Sequence, residues 1–186
     1  MKRTTTILLL IFTCIAAMAG QIEHPSLLFT RQTMQSADNN PMNAGYKAEL
    51  LNKADGFLKS NDISKLDYLS LAFSITGDKK YSDHIKDVLI DATRAESWAN
   101  SEMMLRNPAW HTELQVAHRS FSCGLAYDVI YNTLSKSERK TLAEGLQRLA
   151  VEPAMEDWVN DNTRIHSLNS MGHNWWSSCV CMGGFL

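Results

Sequence analysis

A long apolar stretch at residues 110–134 constrains the fold more than any other part of the chain. Its apolar residues recur at intervals of three and four, which is the spacing of one face of an α-helix. Further apolar residues fill most of the other faces, and a helix that is apolar almost all round is a buried one. The residues of this ring are Leu114, Val116, Ala117, Phe121, Cys123, Leu125, Ala126, Val129 and Ile130. The stretch therefore predicts a central helix that other elements cover.

Shorter helices are predicted on both sides of this stretch. Apolar residues at helical spacing indicate helices at residues 44–59, 65–75, 79–95 and 139–149. Gly77 is expected to end the second of these, and Asp78 to cap the third. Ser135 and Glu138 have the spacing of a capping box, which would open the last one. Pro153 is expected to bend or restart the helical chain that follows.

The fold class expected from these patterns is all-α. Strand patterns of convincing length are absent, and helices of similar length suit an array of helical hairpins that closes into a toroid. Residues 157–172 are polar and are predicted to form a loop. Residues 181–186 form an apolar run without a helix cap, whereas domain ends are usually polar. We therefore expect residues 20–186 to be the N-terminal part of an incomplete (α/α) toroid, truncated at Leu186.

The first residues have the three-part pattern of a secretory signal peptide. Lys2 and Arg3 form a basic head, residues 7–15 are an apolar run, and small residues at Ala17 and Ala19 follow. The run is far shorter than the ~20 residues that span a bilayer, so we expect no membrane anchor. Residues 1–19 are predicted to be the signal peptide, cleaved after Ala19, with the mature protein periplasmic or secreted. The alternative is an uncleaved N-terminal anchor.

Charge and cysteine content exclude several classes of protein. The chain has 18 basic and 20 acidic residues, and loss of the signal leaves a net charge of −4. It has no basic block or stripe, so we expect no nucleic-acid partner. Cys123, Cys179 and Cys181 remain after cleavage, an odd number that argues against a complete disulfide framework. They also lack the paired spacing of a zinc site, so we expect no metal and no cofactor.

The side chains with the clearest chemical potential lie at residues 172–176. A glycine is followed by His173 and Asn174, and then by Trp175 and Trp176. Sugar rings stack on aromatic faces, and amide or imidazole groups can bind carboxylate oxygens. We therefore predict His173 and Asn174 as catalytic residues and the two tryptophans as substrate-binding residues. The alternative is that Asn174 only caps a helix and the tryptophans belong to the core.

Weaker candidates lie on the central helix. His118 and Arg119 fall within a helix expected to be buried, where a charge needs a partner or a cavity. They could line a substrate cleft, with Trp110 at its rim, or pair with an acid such as Glu113 or Asp128. Asp128 itself is predicted to be a structural partner for a neighbouring helix end. His118, Arg119 and Trp110 are therefore candidate substrate-binding residues.

Three segments together resemble the heparinase II/III-like polysaccharide lyases. The HPSLLFT at residues 24–30 is similar to that family's HPRLLF opening. The AYDVIY at residues 126–131, followed by Leu134-Ser135 and Glu138-Arg139, resembles its AYDWLY…LS..ER helix pair. The GHNWW at residues 172–176 resembles its NW segment. The three segments occur in the family's order and span nearly the whole mature chain.

The resemblance implies an N-terminal incomplete (α/α) toroid followed by a C-terminal antiparallel β-region. It implies β-elimination of uronic-acid polysaccharides, such as glycosaminoglycans or alginate, so the expected partner is an acidic polysaccharide. Asn174 matches the family asparagine that contacts the uronate carboxylate, and His173 is expected to share that work. Several relatives place the histidine after the asparagine, which this chain does not. The family's catalytic tyrosine would lie beyond Leu186, so the 186-residue piece is expected to be inactive alone.

Two alternative functions remain open at the level of sequence. A glycoside hydrolase on a related (α/α) toroid would use a pair of carboxylates, for which Asp157 and Asp161 are the candidates. A non-enzymatic carbohydrate-binding protein of the cell envelope would use the tryptophans alone. A product with a new C4–C5 double bond would separate a lyase from both alternatives.

Overall fold

The computed structural model describes residues 22–160 and 175–180, and all regular elements in these two ranges are helical. The all-α prediction is therefore confirmed for this part of the chain. The α-helices are α1 (Arg31–Asp38), α2 (Asn43–Phe57), α3 (Leu66–Thr76), α4 (Lys79–Thr93), α5 (Ser101–Met104), α6 (Leu114–Ile130), α7 (Lys136–Leu146) and α8 (Glu152–Met155). No helix within these ranges is long and apolar enough to cross a membrane.

Short helical turns of other types connect these α-helices. The 3₁₀ turn Ile63–Lys65 directly precedes α3, and the 3₁₀ turn Tyr131–Thr133 directly follows α6. Three π-helical segments lie at Gln147–Val151, Glu156–Asn160 and Trp176–Val180. Residues 136–160 are thus helical throughout, and the backbone changes from π to α geometry between Val151 and Glu152, just before Pro153. The prediction of a loop at residues 157–172 is wrong for residues 157–160, because these four residues are still helical.

Helix α6 is the central helix of the fold. It packs against α3, α4 and α7, and against the segment Trp176–Val180. Its fully covered residues include Val116, Ala117, Cys123 and Ile130. The prediction of a buried central helix is confirmed, although α6 begins four residues later than expected. The backbone N–H groups of residues 111 and 112 bind a side chain from another segment, which takes this stretch out of the helix.

The junctions between helices follow from local sequence. Gly77 adopts the left-handed conformation, with φ of 65°, and its N–H donates to the carbonyl of Phe73. The carboxylate of Asp78 then accepts the N–H of Lys80 and caps α4. Ser135 and Glu138 form the predicted capping box at the start of α7. These caps are confirmed, and α2, α3 and α4 end within two residues of the predicted bounds.

The apolar side chains divide into one large cluster and one small one. The large cluster lies between α2, α3, α4, α6 and α7, and it contains Cys123. The small cluster joins Ala117, Trp158 and Cys179, with three half-buried neighbours. Burial raises the pKa of both thiols, Cys123 and Cys179, to about 12. These two cysteines are therefore packing residues, as predicted.

Candidate functional site

The segment before α1 is fixed to the central helix by one carboxylate. Asp128, only 3% exposed, accepts the backbone N–H groups of Ser26 and Leu27, at 2.9–3.0 Å. It also accepts the Ser26 hydroxyl at 3.1 Å and binds Nδ1 of His24. Asp128 has a structural role, as predicted, but its partner is this non-helical segment and not a helix end. The carboxylate can therefore not be the partner of His118 or Arg119.

Aromatic and amide groups reinforce this attachment. The ring of His24 stacks on Tyr131 with 3.9 Å between centroids, and the Arg139 guanidinium lies 4.2 Å from the same Tyr131 ring. The side-chain amide of Asn132 donates to the carbonyl of His24 at 2.8 Å. Two of the three segments that carry the family resemblance, residues 24–30 and 126–131, thus bind each other directly.

A second buried carboxylate fixes the segment that precedes α6. Asp157 is fully buried, and its Oδ2 accepts the backbone N–H groups of His111 and Thr112 at 2.6 and 2.7 Å. Its Oδ1 lies 3.1 Å from Nδ1 of His111. Because backbone donors occupy this carboxylate, Asp157 is not the solvent-facing acid that the hydrolase alternative needs. Asp157 therefore has a structural role in this part of the chain.

Trp110 directly precedes the two residues bound by Asp157, and it lies next to two other tryptophans. The ring centroid of Trp110 lies 5.4 Å from that of Trp158 and 5.8 Å from that of Trp175. Trp158 is 3% exposed, whereas Trp110 and Trp175 are half-buried. The structure thus brings together two predicted substrate-binding residues that lie 65 positions apart in the sequence. His173, Asn174 and the side chain of Trp176 lie outside the described residues.

Several buried polar atoms near the start of α6 and in Trp158 form no hydrogen bond with other described residues. Within the described ranges, the Thr112 hydroxyl, Oε1 of Glu113 and Nε1 of Trp158 have no hydrogen-bond partner. The Glu113 carboxylate uses its other oxygen to cap α6, by accepting the N–H of Gln115 at 2.6 Å. Leaving such atoms unpaired costs about 1–3 kcal/mol each. Neither Thr112 nor Trp158 was identified from the sequence as a site residue, because neither belongs to a recognisable motif.

His118 and Arg119 line a separate cleft of about 600 Å³ between α3, α6 and the turn Ile63–Lys65. His118 is exposed although α6 is buried along most of its surface, because one polar stripe of the helix faces this cleft. The cleft is lined by Asn61, Asp62, Ile63, Ser64, Asp67, Gln115, His118, Arg119 and Ser122. Neither His118 nor Arg119 pairs with Glu113 or Asp128. Both residues thus line a cleft, as one of the predicted alternatives has it, but Trp110 is not among its lining residues. Their role in substrate binding stays a prediction.

Asp67 is a cleft residue that sequence reasoning missed. Burial raises the pKa of its carboxyl group, while a hydrogen bond from Ser122 and the charge of His118 act in the opposite direction. Oδ1 of Asp67 is buried and has no partner among the described residues. The signal that could have found it is its chemistry, since Asp67 is the only charged residue within α3. An isolated acid in an apolar helix needs either a partner or a ligand.

The described residues contain no group of three or more histidine, cysteine, aspartate or glutamate side chains that could hold a metal ion. The candidate site therefore consists of the tryptophan group at the start of α6 and the polar cleft beside the same helix. Its chemistry is that of aromatic faces, hydrogen-bond donors and one guanidinium. No protein-family model matches the chain, and no curated protein matches it.

Proposed function

We propose that the chain is the helical part of a secreted polysaccharide lyase that cleaves uronic-acid polysaccharides by β-elimination. The observation that carries this proposal is the contact between Trp110 and Trp175, 5.8 Å apart at the start of α6. Both rings are half-buried, so each is held by its neighbours and keeps part of its surface open. Aromatic faces held in this way are suited to the apolar faces of sugar rings.

The proposed chemistry places a carboxylate-binding group beside these rings. Asn174 is bonded to Trp175 in the sequence, and we assign its amide to the substrate carboxylate, with His173 as its neighbour. Neutralising the carboxylate makes the adjacent C5 proton more acidic and stabilises the enolate-like intermediate. A base takes that proton, the electron pair forms the C4–C5 double bond, and the C4–O bond breaks. A general acid then protonates the leaving oxygen.

The proposed architecture is an incomplete (α/α) toroid, with residues 1–19 as a signal peptide. Its support is the packing of consecutive helices, α2 against α3 and α3 against α4, together with the packing of α6 on α3, α4 and α7. Antiparallel helical hairpins are the repeating unit of such arrays. The base and the acid are assigned to the later part of the lyase, which the family resemblance places beyond Leu186.

The glycoside hydrolase alternative loses one of its two candidate carboxylates. A hydrolase of this type needs a pair of carboxyl groups that face the scissile bond. Asp157 is fully buried and bound to the N–H groups of His111 and Thr112, while Asp161 lies outside the described residues. The carbohydrate-binding alternative uses the same tryptophans and differs only in its lack of a reaction.

The experiment that separates the three functions follows the product. The complete open reading frame that encodes this chain is expressed and mixed with heparin, heparan, chondroitin and alginate. A lyase produces a rise in ultraviolet absorbance from the C4–C5 double bond. A hydrolase produces new reducing ends without that absorbance, and a binding protein retains the polymer without either signal. The proposal predicts the first result with at least one polymer, and either of the others would overturn it.

A further inference from the structure

The polar cleft beside α6 contains the guanidinium of Arg119. This side chain is half-buried, and among the described residues it makes one hydrogen bond, from Nη1 to the carbonyl of Trp98, at 3.4 Å. It forms no ion pair with any carboxylate of the described ranges. A guanidinium has five N–H donors, so most of this group's capacity is unused. Partial burial of a charge without a partner is costly, which makes the position a candidate for binding an anion.

The other walls of the cleft complement this charge. Gln115, His118, Arg119 and Ser122 follow each other at intervals of three, one and three residues, which places them on one stripe of α6. The amide of Gln115 and the ring of His118 therefore add potential donors beside the guanidinium. Asp67 of α3 lies on the opposite wall and has one buried oxygen without a partner. The cleft thus has donors on one wall and an acceptor on the other.

We propose that this cleft is a subsite for one uronate unit of the polysaccharide, in which Arg119 binds the carboxylate and Asp67 accepts a hydrogen bond from a ring hydroxyl. The inference rests on the proposed function and adds to it a place for a sugar unit away from the tryptophan group. The planar fork of a guanidinium matches the two oxygens of a carboxylate. A volume of about 600 Å³ is sufficient for a sugar ring.

The charges around the cleft favour a carboxylate sugar over a more highly charged ligand. Asp62 and Asp67 both line the cleft, and two carboxylates would repel a phosphate or a cluster of sulfates. The charge of Asp62 is partly compensated, since its side chain accepts the N–H of Ser64 and lies 3.6 Å from Nζ of Lys65. A single carboxylate flanked by hydroxyl groups satisfies both walls at once. A neutral sugar would leave Arg119 without its counter-charge.

The test measures binding of short oligosaccharides by calorimetry, using the full-length protein. The probes are unsulfated tetrasaccharides of alginate, chondroitin and heparosan, each compared with its methyl ester, which keeps the shape and loses the charge. Arg119→Gln is expected to weaken binding of the acidic probe on the order of tenfold or more, because hydrogen bonds between charged partners are the strong ones. The affinity for the methyl ester is expected to stay the same. Asp67→Asn is expected to weaken the binding of both the acidic probe and its methyl ester.

Matched variants keep the test specific. Arg94→Gln removes an exposed arginine at the end of α4 and is expected to change neither affinity. Arg119→Lys keeps the positive charge but not the fork, so it is expected to restore part of the affinity. If Arg119→Gln lowers the melting temperature, its affinities are not used. The affinities of Arg119→Lys and Asp67→Asn for the two probes are then compared in its place.

Several outcomes would overturn the subsite. They are an unchanged affinity of Arg119→Gln for the acidic probe, an equal loss for the acid and its ester, or no binding of any probe by the wild-type protein. Lyase activity together with unaffected binding in Arg119→Gln would remove the subsite and leave the proposed function standing. Charge-selective binding through Arg119 without lyase activity would leave the subsite standing and remove the proposed function.

Discussion

Ser26 donates both its backbone N–H and its hydroxyl to the carboxylate of Asp128, which lies 102 residues further along the chain. This relationship joins two segments that were singled out separately in the sequence, residues 24–30 and 126–131. One motif is a non-helical segment that precedes α1, and the other is the end of the helix to which it binds. Their pairing therefore gives each motif a physical role in attaching the start of the described chain to its central helix.

Replacing Asp128 is expected to destabilise the protein substantially. Asp128→Ala removes the buried carboxylate that accepts the N–H groups of Ser26 and Leu27, in hydrogen bonds that are partly shielded from solvent. Hydrogen bonds to charged groups contribute about 1.5–3 kcal/mol, so we expect a loss of roughly 2–4 kcal/mol in the free energy of unfolding, measured in urea. Asp87→Ala, at an exposed position of α4, is the control and should change it by less than about 0.5 kcal/mol. Equal effects of the two variants would contradict the role assigned to Asp128.

Two glycines are expected to respond to alanine in opposite directions. A Cβ atom at Gly145 of α7 would lie 2.6 Å from Cβ of Thr93 in α4, whereas one at Gly56 of α2 meets nothing within 4 Å. Gly145→Ala should therefore cost about 1–3 kcal/mol through overpacking. Gly56→Ala, in the last turn of α2, should stabilise the protein by about 0.4–1 kcal/mol, because alanine fits there and lowers the conformational entropy of the unfolded chain. Thermal unfolding of both variants checks this, and a stabilised Gly145→Ala would mean that α4 and α7 do not approach so closely.

The capping box of α7 predicts a pH dependence of stability. Hydrogen bonds from the backbone and side chain of Ser135, together with Lys86, lower the pKa of Glu138 from its usual 4.5 to about 2. A lowered folded-state pKa means that ionised Glu138 stabilises the fold above pH 4.5, and that this contribution disappears as the pH falls towards 2. Glu138→Gln keeps the shape and removes the charge. Its melting temperature should lie below that of the wild type at pH 7 and converge with it near pH 2.

The control for this pH series is Glu144→Gln, at an exposed position of the same helix. It should not reproduce the convergence seen for Glu138→Gln. A constant difference between wild type and Glu138→Gln from pH 7 down to pH 2 would contradict the assigned ionic contribution of the cap.

The two described cysteines are expected to be unreactive in the folded protein. Burial raises the pKa of both Cys123 and Cys179 to about 12, and only the thiolate reacts with alkylating reagents. Peptide mapping after treatment with iodoacetamide at pH 8 should find both residues unlabelled. The same treatment in concentrated urea should label both. Rapid labelling of Cys179 without denaturant would mean that the small cluster around Trp158 is open to solvent.

Features that depend on neighbours in sequence were predictable. Gly77 and Asp78 form a helix end and a helix start from residues within four positions, and the Ser135–Glu138 box is equally local. The burial of α6 follows from its own apolar ring. Helix α1 was missed because it buries none of its residues, so it lacks the apolar face that periodicity detects.

Features that depend on distant partners were not predictable. The central helix was predicted to begin at residue 110, but the Asp157 carboxylate accepts the N–H groups of His111 and Thr112, which lie 46 and 45 residues away in the sequence. Because of the same contact, Asp157, which was predicted to lie in a loop, is buried. Asp67 acquires its raised pKa only when α3 packs on α6. The contact of Trp110 with Trp175 likewise exists only in the folded chain, although both residues were marked for their chemistry.

The most direct test of the proposed lyase compares two asparagine variants in the complete open reading frame. Asn174→Ala removes the amide assigned to the substrate carboxylate, whereas Asn52→Ala changes an exposed residue of α2. Removing a group that stabilises developing charge typically lowers kcat by about 10²–10³-fold. The account predicts a rise in ultraviolet absorbance with a uronic-acid polysaccharide for the wild type and for Asn52→Ala, and a loss of about that size for Asn174→Ala. Equal rates for the two variants, or no new absorbance from the wild type with any of the four polymers, would contradict it.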